Sequence, residues 1–369
     1  QKWQRSSMRR IIQWVVIALL VAYVVVSFTQ IQSIIETLNL GNPIFLLAAF
    51  LFEILCLINA ASVYSSLYQL VGLRETRWNL FLMSTAATFI SVIAPSGGVG
   101  GMAIFIDSAK KRKLSSGRVL VVGILYLLYE YASLLCVVML GFVVLVRRGH
   151  LDMGQISAAL FMLAIAVADA IVLYLGYKSQ HRLGKLLTGA ARLVNRLLRR
   201  FIHKDAINTD NAYNLSVEIA EGIKTITSNP KKIIWPFLFD LNNKAILICI
   251  MSFVFLALGI PFSTGTIIGA VSLGQLFYYI SPTPGGIGVV ESLFPLILKT
   301  LGVPIAIGLL ITLTNRAIML WFPLLVGFIS FRVLRKRNGK KKINESLDEA
   351  AALPVQEPEA IDIKGETKK

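Results

Sequence analysis

At 369 residues, 56% of them hydrophobic, and with a mean hydropathy of +0.70, this chain is more apolar than a soluble domain, whose apolar share is roughly 45–50%. That excludes an ordinary water-soluble fold. The net charge of +17 gathers between and beyond the apolar runs and accompanies no nucleic-acid recognition module, so it reads as membrane topology rather than a nucleic-acid surface.

A membrane helix needs about 20 apolar residues, and six runs satisfy this: 11–31, 43–71, 118–146, 155–177, 233–259 and 304–331. Lys2, Arg5, Arg9 and Arg10 precede the first run, and no small-residue cleavage site follows Phe28, so it reads as an uncleaved signal anchor with a cytoplasmic N-terminus. The connection 32–42 carries no Lys or Arg and belongs outside, whereas Arg74 and Arg77 return 72–78 to the cytoplasm.

The next apolar stretch, 79–113, is interrupted by Pro95-Ser96-Gly97-Gly98-Val99-Gly100-Gly101 and ends in Lys110, Lys111, Arg112 and Lys113. A full crossing would leave that cluster outside. A re-entrant hairpin, with both ends cytoplasmic and the glycines at its tip, removes the conflict. Residues 118–146 then exit, with Arg147 and Arg148 a modest violation, and 155–177 re-enter.

Residues 178–204 read as a basic amphipathic helix on the inner leaflet, where Arg182, Lys185, Arg192, Arg196, Arg199 and Arg200 accompany leucines at helical spacing. A solvated cytoplasmic helix is the alternative. The more polar 205–230 completes a helical connection, so that 178–232 forms one cytoplasmic insertion.

Span 233–259 exits to the uncharged 260–264. A second broken stretch, 262–299, carries Pro282-Thr283-Pro284-Gly285-Gly286-Ile287-Gly288 and then Glu291. Span 304–331 returns before Arg332, Arg335, Lys336 and Arg337, and residues 336–369 have the composition of a disordered cytoplasmic tail. The order span, span, broken stretch, span thus occurs twice with opposite orientation. Such inverted repeats with broken helices are a transporter architecture; glycine turns used only for close packing are the competing reading.

Charged groups at the bilayer centre cost about 2.5–3.5 kcal/mol on insertion scales, which singles out Glu53, Glu130, Asp169, Asp240, Lys244, Glu291 and Arg316, with Asn59, Asn242, Asn243 and Asn315 among them. Asp240 and Lys244 are one helical turn apart and can neutralise each other. Arg316 needs an anion: Glu291, Glu130 or a lipid phosphate, which suits its planar fork. Cys56, Cys136 and Cys249 lie within spans without paired spacing and read as three buried structural thiols. His150, His181 and His203 show no ligand spacing, so no metal site is expected, and without a G-x-x-x-x-G-K-[ST] loop neither is ATP-driven pumping.

The string Pro284-Gly285-Gly286-Ile287-Gly288-Val289-Val290-Glu291, with Asn315-Arg316 and the stretch from Trp321 to Gly327, resembles the transmembrane region of lysylphosphatidylglycerol synthases and related flippase-like membrane proteins. The resemblance runs over most of 11–335 and includes Pro95 to Gly101 and Tyr129-Glu130. It departs where relatives often carry an arginine after the first glycine turn and this chain has Met102-Ala103-Ile104-Phe105.

The resemblance implies a bacterial or archaeal cytoplasmic-membrane protein that moves lipids between leaflets. Bifunctional members append a soluble aminoacyltransferase domain, for which 336–369 is too short, so the expectation is a non-enzyme without cofactors. The expected fold is all-α and polytopic, with six spans and two re-entrant broken helices. The expected substrate is an anionic phospholipid or a polyprenyl-phosphate-linked lipid, with an envelope-lipid synthase or transferase as a candidate partner. The expected pathway residues are Pro95, Gly97, Gly98, Gly100, Gly101, Glu130, Pro282, Pro284, Gly285, Gly286, Gly288, Glu291, Asn315 and Arg316. An intramembrane lipid-modifying enzyme and a scaffold subunit of an envelope-lipid synthase are the alternatives.

Overall fold

The computed structural model describes residues 33–93, 101–112, 114–149, 153–178, 219, 221–226, 232–281 and 283–351. The first apolar run, the glycine tip 95–100, Pro282, the three histidines, the six basic residues of the amphipathic segment and the end of the tail lie outside them.

Besides helical stretches at 33–40 and 221–226, the described chain is ordered by α1 (Pro43–Leu70), α2 (Arg77–Ile93), α3 (Met102–Lys111), α4 (Ser116–Arg148), α5 (Met153–Lys178), α6 (Ile234–Ala257), α7 (Thr264–Ile280), α8 (Val289–Thr300), α9 (Ile305–Arg316) and α10 (Phe322–Ala351). No strand occurs among the described residues. Five helices are long and apolar enough to cross a membrane, the fifth being the continuous run Ile305–Arg337 through α9 and α10. This is an all-α polytopic membrane protein.

Local chemistry sets the helix ends. Asn42 caps α1 by accepting from the Ile44 amide at 3.0 Å, with Pro43 pre-shaped for the first turn. Ser115 caps α4 and Ser263 caps α7 in the same way, each accepting an amide at 3.2 Å. Between α9 and α10 the helix widens into a π turn over Ala317–Trp321, directly after Arg316, a distortion that recurs at functional sites. Helix α10 runs on to Ala351, past the expected boundary at 336.

Helices α2, α3, α7 and α8 have 17, 10, 17 and 12 residues. At about 1.5 Å per residue each falls short of a bilayer core of about 30 Å. They come in pairs, α2 with α3 and α7 with α8, each pair flanking a glycine break.

Packing repeats between the halves. Helices α1 and α6 lie against each other; α2 packs on α10 as α7 packs on α4; α3 meets α4 as α8 meets α9. Small residues mark both crossings, because the Gly141 backbone on α4 approaches Ser272 and the Gly327 backbone on α10 approaches Thr85. A Cβ would come within 2.6 Å of Ser272 in the first case and within 2.4 Å of the Thr85 carbonyl in the second. The helix ends match too. Arg148 donates to Ser263 and Thr266 at the start of α7, and Arg337 donates to Asn79 at the start of α2. Arg148 also donates to the Leu301 carbonyl at 2.7 Å, so it ties the end of α4 to the end of α8.

Large apolar side chains turned outward, such as Leu47, Leu51, Ile54 and Ile58 on α1 and Leu160, Phe161, Val167 and Ile171 on α5, face what would be hydrocarbon. The cysteine expectation is corrected here: Cys56 is buried, but Cys249 is half-buried and Cys136 exposed. A thiol turned toward lipid needs no protein neighbours to stay out of water. Part of the 178–232 insertion docks on the bundle, since Ile219 and Ile223 are buried in the cluster that holds Val121 and Val122.

Candidate functional site

The second glycine break is built around a single arginine. Gly285, Gly286 and Gly288 have φ of 61°, 68° and 84°, left-handed values that cost a side-chain-bearing residue about 1–2 kcal/mol. The turn exposes two backbone carbonyls, and Arg316 takes both: Nη1 donates to Gly285 O at 3.0 Å and Nη2 to Gly286 O at 2.9 Å. Its Nε lies 2.8 Å from Glu291 Oε1, too poorly aligned for a hydrogen bond but close enough for an ion pair. Glu291 in turn accepts the Gly288 amide through Oε2 at 2.7 Å, closing the first turn of α8. Of the anions available to Arg316, Glu291 is the one it meets. The guanidinium serves as a staple across the break.

Glu130 belongs to a different cluster. Buried on α4, it accepts hydrogen bonds from Lys244 of α6 and from Tyr279 of α7, the latter at 2.5 Å. Asp240 accepts from Ser133 and lies 4.0 Å from Lys244. Lys244 therefore serves two carboxyl groups, Glu130 more closely than the Asp240 expected from helical spacing. The α1–α6 seam beside it is polar: Cys56 donates to Asn243 Oδ1 at 3.1 Å, and Asn59 donates to the Phe239 carbonyl at 2.7 Å. Such interhelical bonds take the place of the hydrophobic drive that is missing in lipid.

Two cavities adjoin these clusters. The larger, of about 560 Å³, is walled by Ser84, Thr88 and Ser91 of α2, by Tyr126, Glu130 and Tyr131 of α4, and by Ser281, Thr283, Gly285 and Gly286 of the second break. Gly101, at the end of the first break, also lines it and donates its amide to Ser91 at 3.1 Å. The smaller, of about 200 Å³, lies deeper and shares Tyr126, Glu130, Tyr278 and Tyr279 with the first; it adds Glu53, Asn243, Lys244, Gln275, Asn315 and Arg316.

The structure thus brings together Gly101, Glu130, Gly285, Gly286, Asn315 and Arg316 around two adjoining cavities, with Glu291 behind Arg316. Gly288 is exposed at the start of α8, and Pro284 opens the turn. Pro95, Gly97, Gly98, Gly100 and Pro282 lie outside the described residues. Sequence reasoning missed the hydroxyl wall of α2, although Ser84, Thr88 and Ser91 recur at the i, i+4, i+7 spacing of one helix face. It also missed the tyrosines, which resemble ordinary core aromatics until Tyr279 is seen on Glu130.

Among apolar side chains the walls offer hydroxyls, amides and carbonyls, while Lys244 and Arg316 are already neutralised. Such a lining offers hydrogen bonds rather than a free counter-charge.

Residues 10–327 match the family model described as the lysylphosphatidylglycerol synthase TM region. The chain is also similar to the UPF0104 membrane protein MJ1595 of Methanocaldococcus jannaschii, at 22% identity over 356 residues that cover 92% of this chain and 98% of the relative. No solved structure matches.

Proposed function

The chain belongs to the lysylphosphatidylglycerol synthase transmembrane-region family, and from that premise we propose that it carries a lipid between the leaflets of its membrane. The observation that supports this most is the cavity of about 560 Å³ that opens among the membrane-depth helices, carries hydroxyls and backbone groups among apolar side chains, and is bordered by Gly101 and the second glycine break. A cavity of roughly 300–1,000 Å³ accommodates a small-molecule-sized group, here a lipid headgroup with its tails left outside the bundle. The substrate is a phospholipid or polyprenyl-phosphate lipid whose phosphate oxygens meet the hydroxyls of α2 and the second break.

The matched packing of the halves supports an inverted repeat, with α2–α3 and α7–α8 as re-entrant pairs whose breaks flank the pathway. Both termini are then cytoplasmic. Leaflet exchange follows from rocking one half against the other. A separate synthase or transferase is the natural partner to supply or consume the lipid.

Purified protein in vesicles containing a headgroup-labelled phospholipid tests the proposal. Expected is exchange of the label to the opposite leaflet, read by quenching from outside, above the rate of protein-free vesicles. A chemically altered lipid would establish the enzyme reading instead, and an unmoved, unaltered lipid the scaffold reading.

A further inference from the structure

Five carboxyl groups lie at membrane depth among the described residues: Glu53, Glu130, Asp169, Asp240 and Glu291. Glu53, Glu130 and Asp240 are 1–3% exposed, the Glu291 side chain is 13% exposed, and Asp169 is half-buried. Two cations face them. Arg316 is committed to Glu291 and to two carbonyls, and Lys244 is shared by Glu130 and Asp240.

Glu53 and Asp169 are left over: neither makes an ion pair among the described residues, and each has a buried oxygen, Oε2 and Oδ2, without a hydrogen-bond partner. Asp169 lines neither cavity, which leaves Glu53. Glu53 lines the inner cavity, as does Asn315, whose Oδ1 also lacks a partner. A carboxylate alone at this depth is heavily penalised, so Glu53 holds a proton or takes another cation in its place.

The polar groups sharing the cavity with Glu53 are Cys56 on its own helix, Thr88 on α2, Tyr126 and Glu130 on α4, Asn243 and Lys244 on α6, Gln275, Tyr278 and Tyr279 on α7, and Asn315 and Arg316 on α9. Their cations are spent on other carboxylates. The unspent donors and acceptors are neutral amides and hydroxyls. One carboxylate with neutral oxygens suits a single positive charge. No group of three His, Cys, Asp or Glu suited to a metal occurs among the described residues.

We propose that the inner cavity binds a monovalent cation, H⁺ or Na⁺, at the Glu53 carboxylate, and that this cation drives the lipid movement proposed above. The coupling rests on that reading; the site itself does not. For H⁺, a Glu53 oxygen forms an O–H bond with a proton from water on one side and returns it to water on the other. For Na⁺, the Glu53 carboxylate and the Asn315 amide oxygen replace part of the hydration shell. Either way the occupied site is neutral, which lets the bundle rock without exposing a bare charge to hydrocarbon.

The test uses full-length protein in sealed vesicles with an entrapped pH dye or with radioactive sodium outside, and lipid exchange measured in the same preparation under an imposed pH or Na⁺ gradient. Expected are ion uptake above protein-free vesicles for one of the two ions, and an exchange rate that changes at least tenfold when that gradient is reversed. Glu53→Gln should abolish both responses while keeping a monodisperse, folded protein. Uptake of neither ion, or unaltered uptake by Glu53→Gln, overturns the site. Lipid exchange indifferent to both gradients overturns the coupling and leaves translocation standing. Ion uptake without lipid exchange overturns translocation and leaves the site standing. If Glu53→Gln does not fold, the wild-type Tm in NaCl against choline chloride, and across pH, decides: a Tm indifferent to both Na⁺ and H⁺ overturns the site.

Discussion

Arg316→Met tests how the second glycine break is held. The substitution removes two charge-assisted hydrogen bonds to Gly285 O and Gly286 O, each contributing about 1.5 kcal/mol at the low end of the range for charged donors. It also strips the counter-ion from Glu291, and an orphaned buried charge costs about 3–5 kcal/mol. The single variant should therefore lose roughly 6 kcal/mol. Adding Glu291→Gln removes the orphan charge and keeps an acceptor for the Gly288 amide, so the double variant should recover to a loss of roughly 3 kcal/mol. Arg316→Lys retains the charge but not the fork and should fall between wild type and the single variant. Reversible unfolding in bicelles measures all three, with leaflet exchange assayed on whatever remains folded. The double variant should fold yet exchange lipid slowly, because the turn lining the cavity has lost its staple. A double variant as stable as wild type would show that the carbonyl fork contributes nothing. One as unstable as the single variant would show that Glu291 bears no uncompensated charge.

Three further outcomes are expected. Lys244→Met should cut folded yield sharply, through an unfolding cost of about 3–5 kcal/mol, since it leaves Glu130 and Asp240 without their cation; normal yield and Tm would contradict that pairing. Gly286→Leu should both strain φ and drive a Cβ to within 2.8 Å of Val290, whereas Gly288→Ala, with no atom within 4 Å of a Cβ, should lose only the conformational term of about 1–2 kcal/mol. Equal Tm losses would reject the crowding account. A cysteine replacing Lys111 should react with an impermeant reagent only in permeabilised cells, and one replacing Ile260 should react in intact cells; the reverse pattern would discard the re-entrant topology.

Much of the architecture was legible in the chain. Apolar runs mark α1, α4, α5, α6 and the start of α9 to within a few residues, because a bilayer demands about 20 apolar residues wherever backbone crosses it; they do not mark the end of α10, which runs on to Ala351. The glycine string and Glu291 mark the second break, because left-handed φ values admit few other residues. The choice of ion-pair partners was not legible. Glu291 and Glu130 were equally available to Arg316 in sequence, and Asp240 sits one turn from Lys244. Arg316 meets Glu291 because the glycine turn brings the start of α8 to α9, and Lys244 turns to Glu130 because α4 crosses α6 at that level.

The sequence by itself determined that this is a many-helix membrane protein, where its helices break, and that charges are buried within it, since each follows from transfer of local groups between water and lipid. Only the tertiary structure decided which charges cancel, that Ser84, Thr88 and Ser91 share a cavity with Gly101 and the second break, and that Glu53 meets no counter-ion among the described residues. Those facts depend on which helix faces lie together. Interhelical packing in a membrane turns on close fit and a few hydrogen bonds, such as Gly141 on Ser272 or Gly327 on Thr85, rather than on the hydrophobic pattern of any one segment.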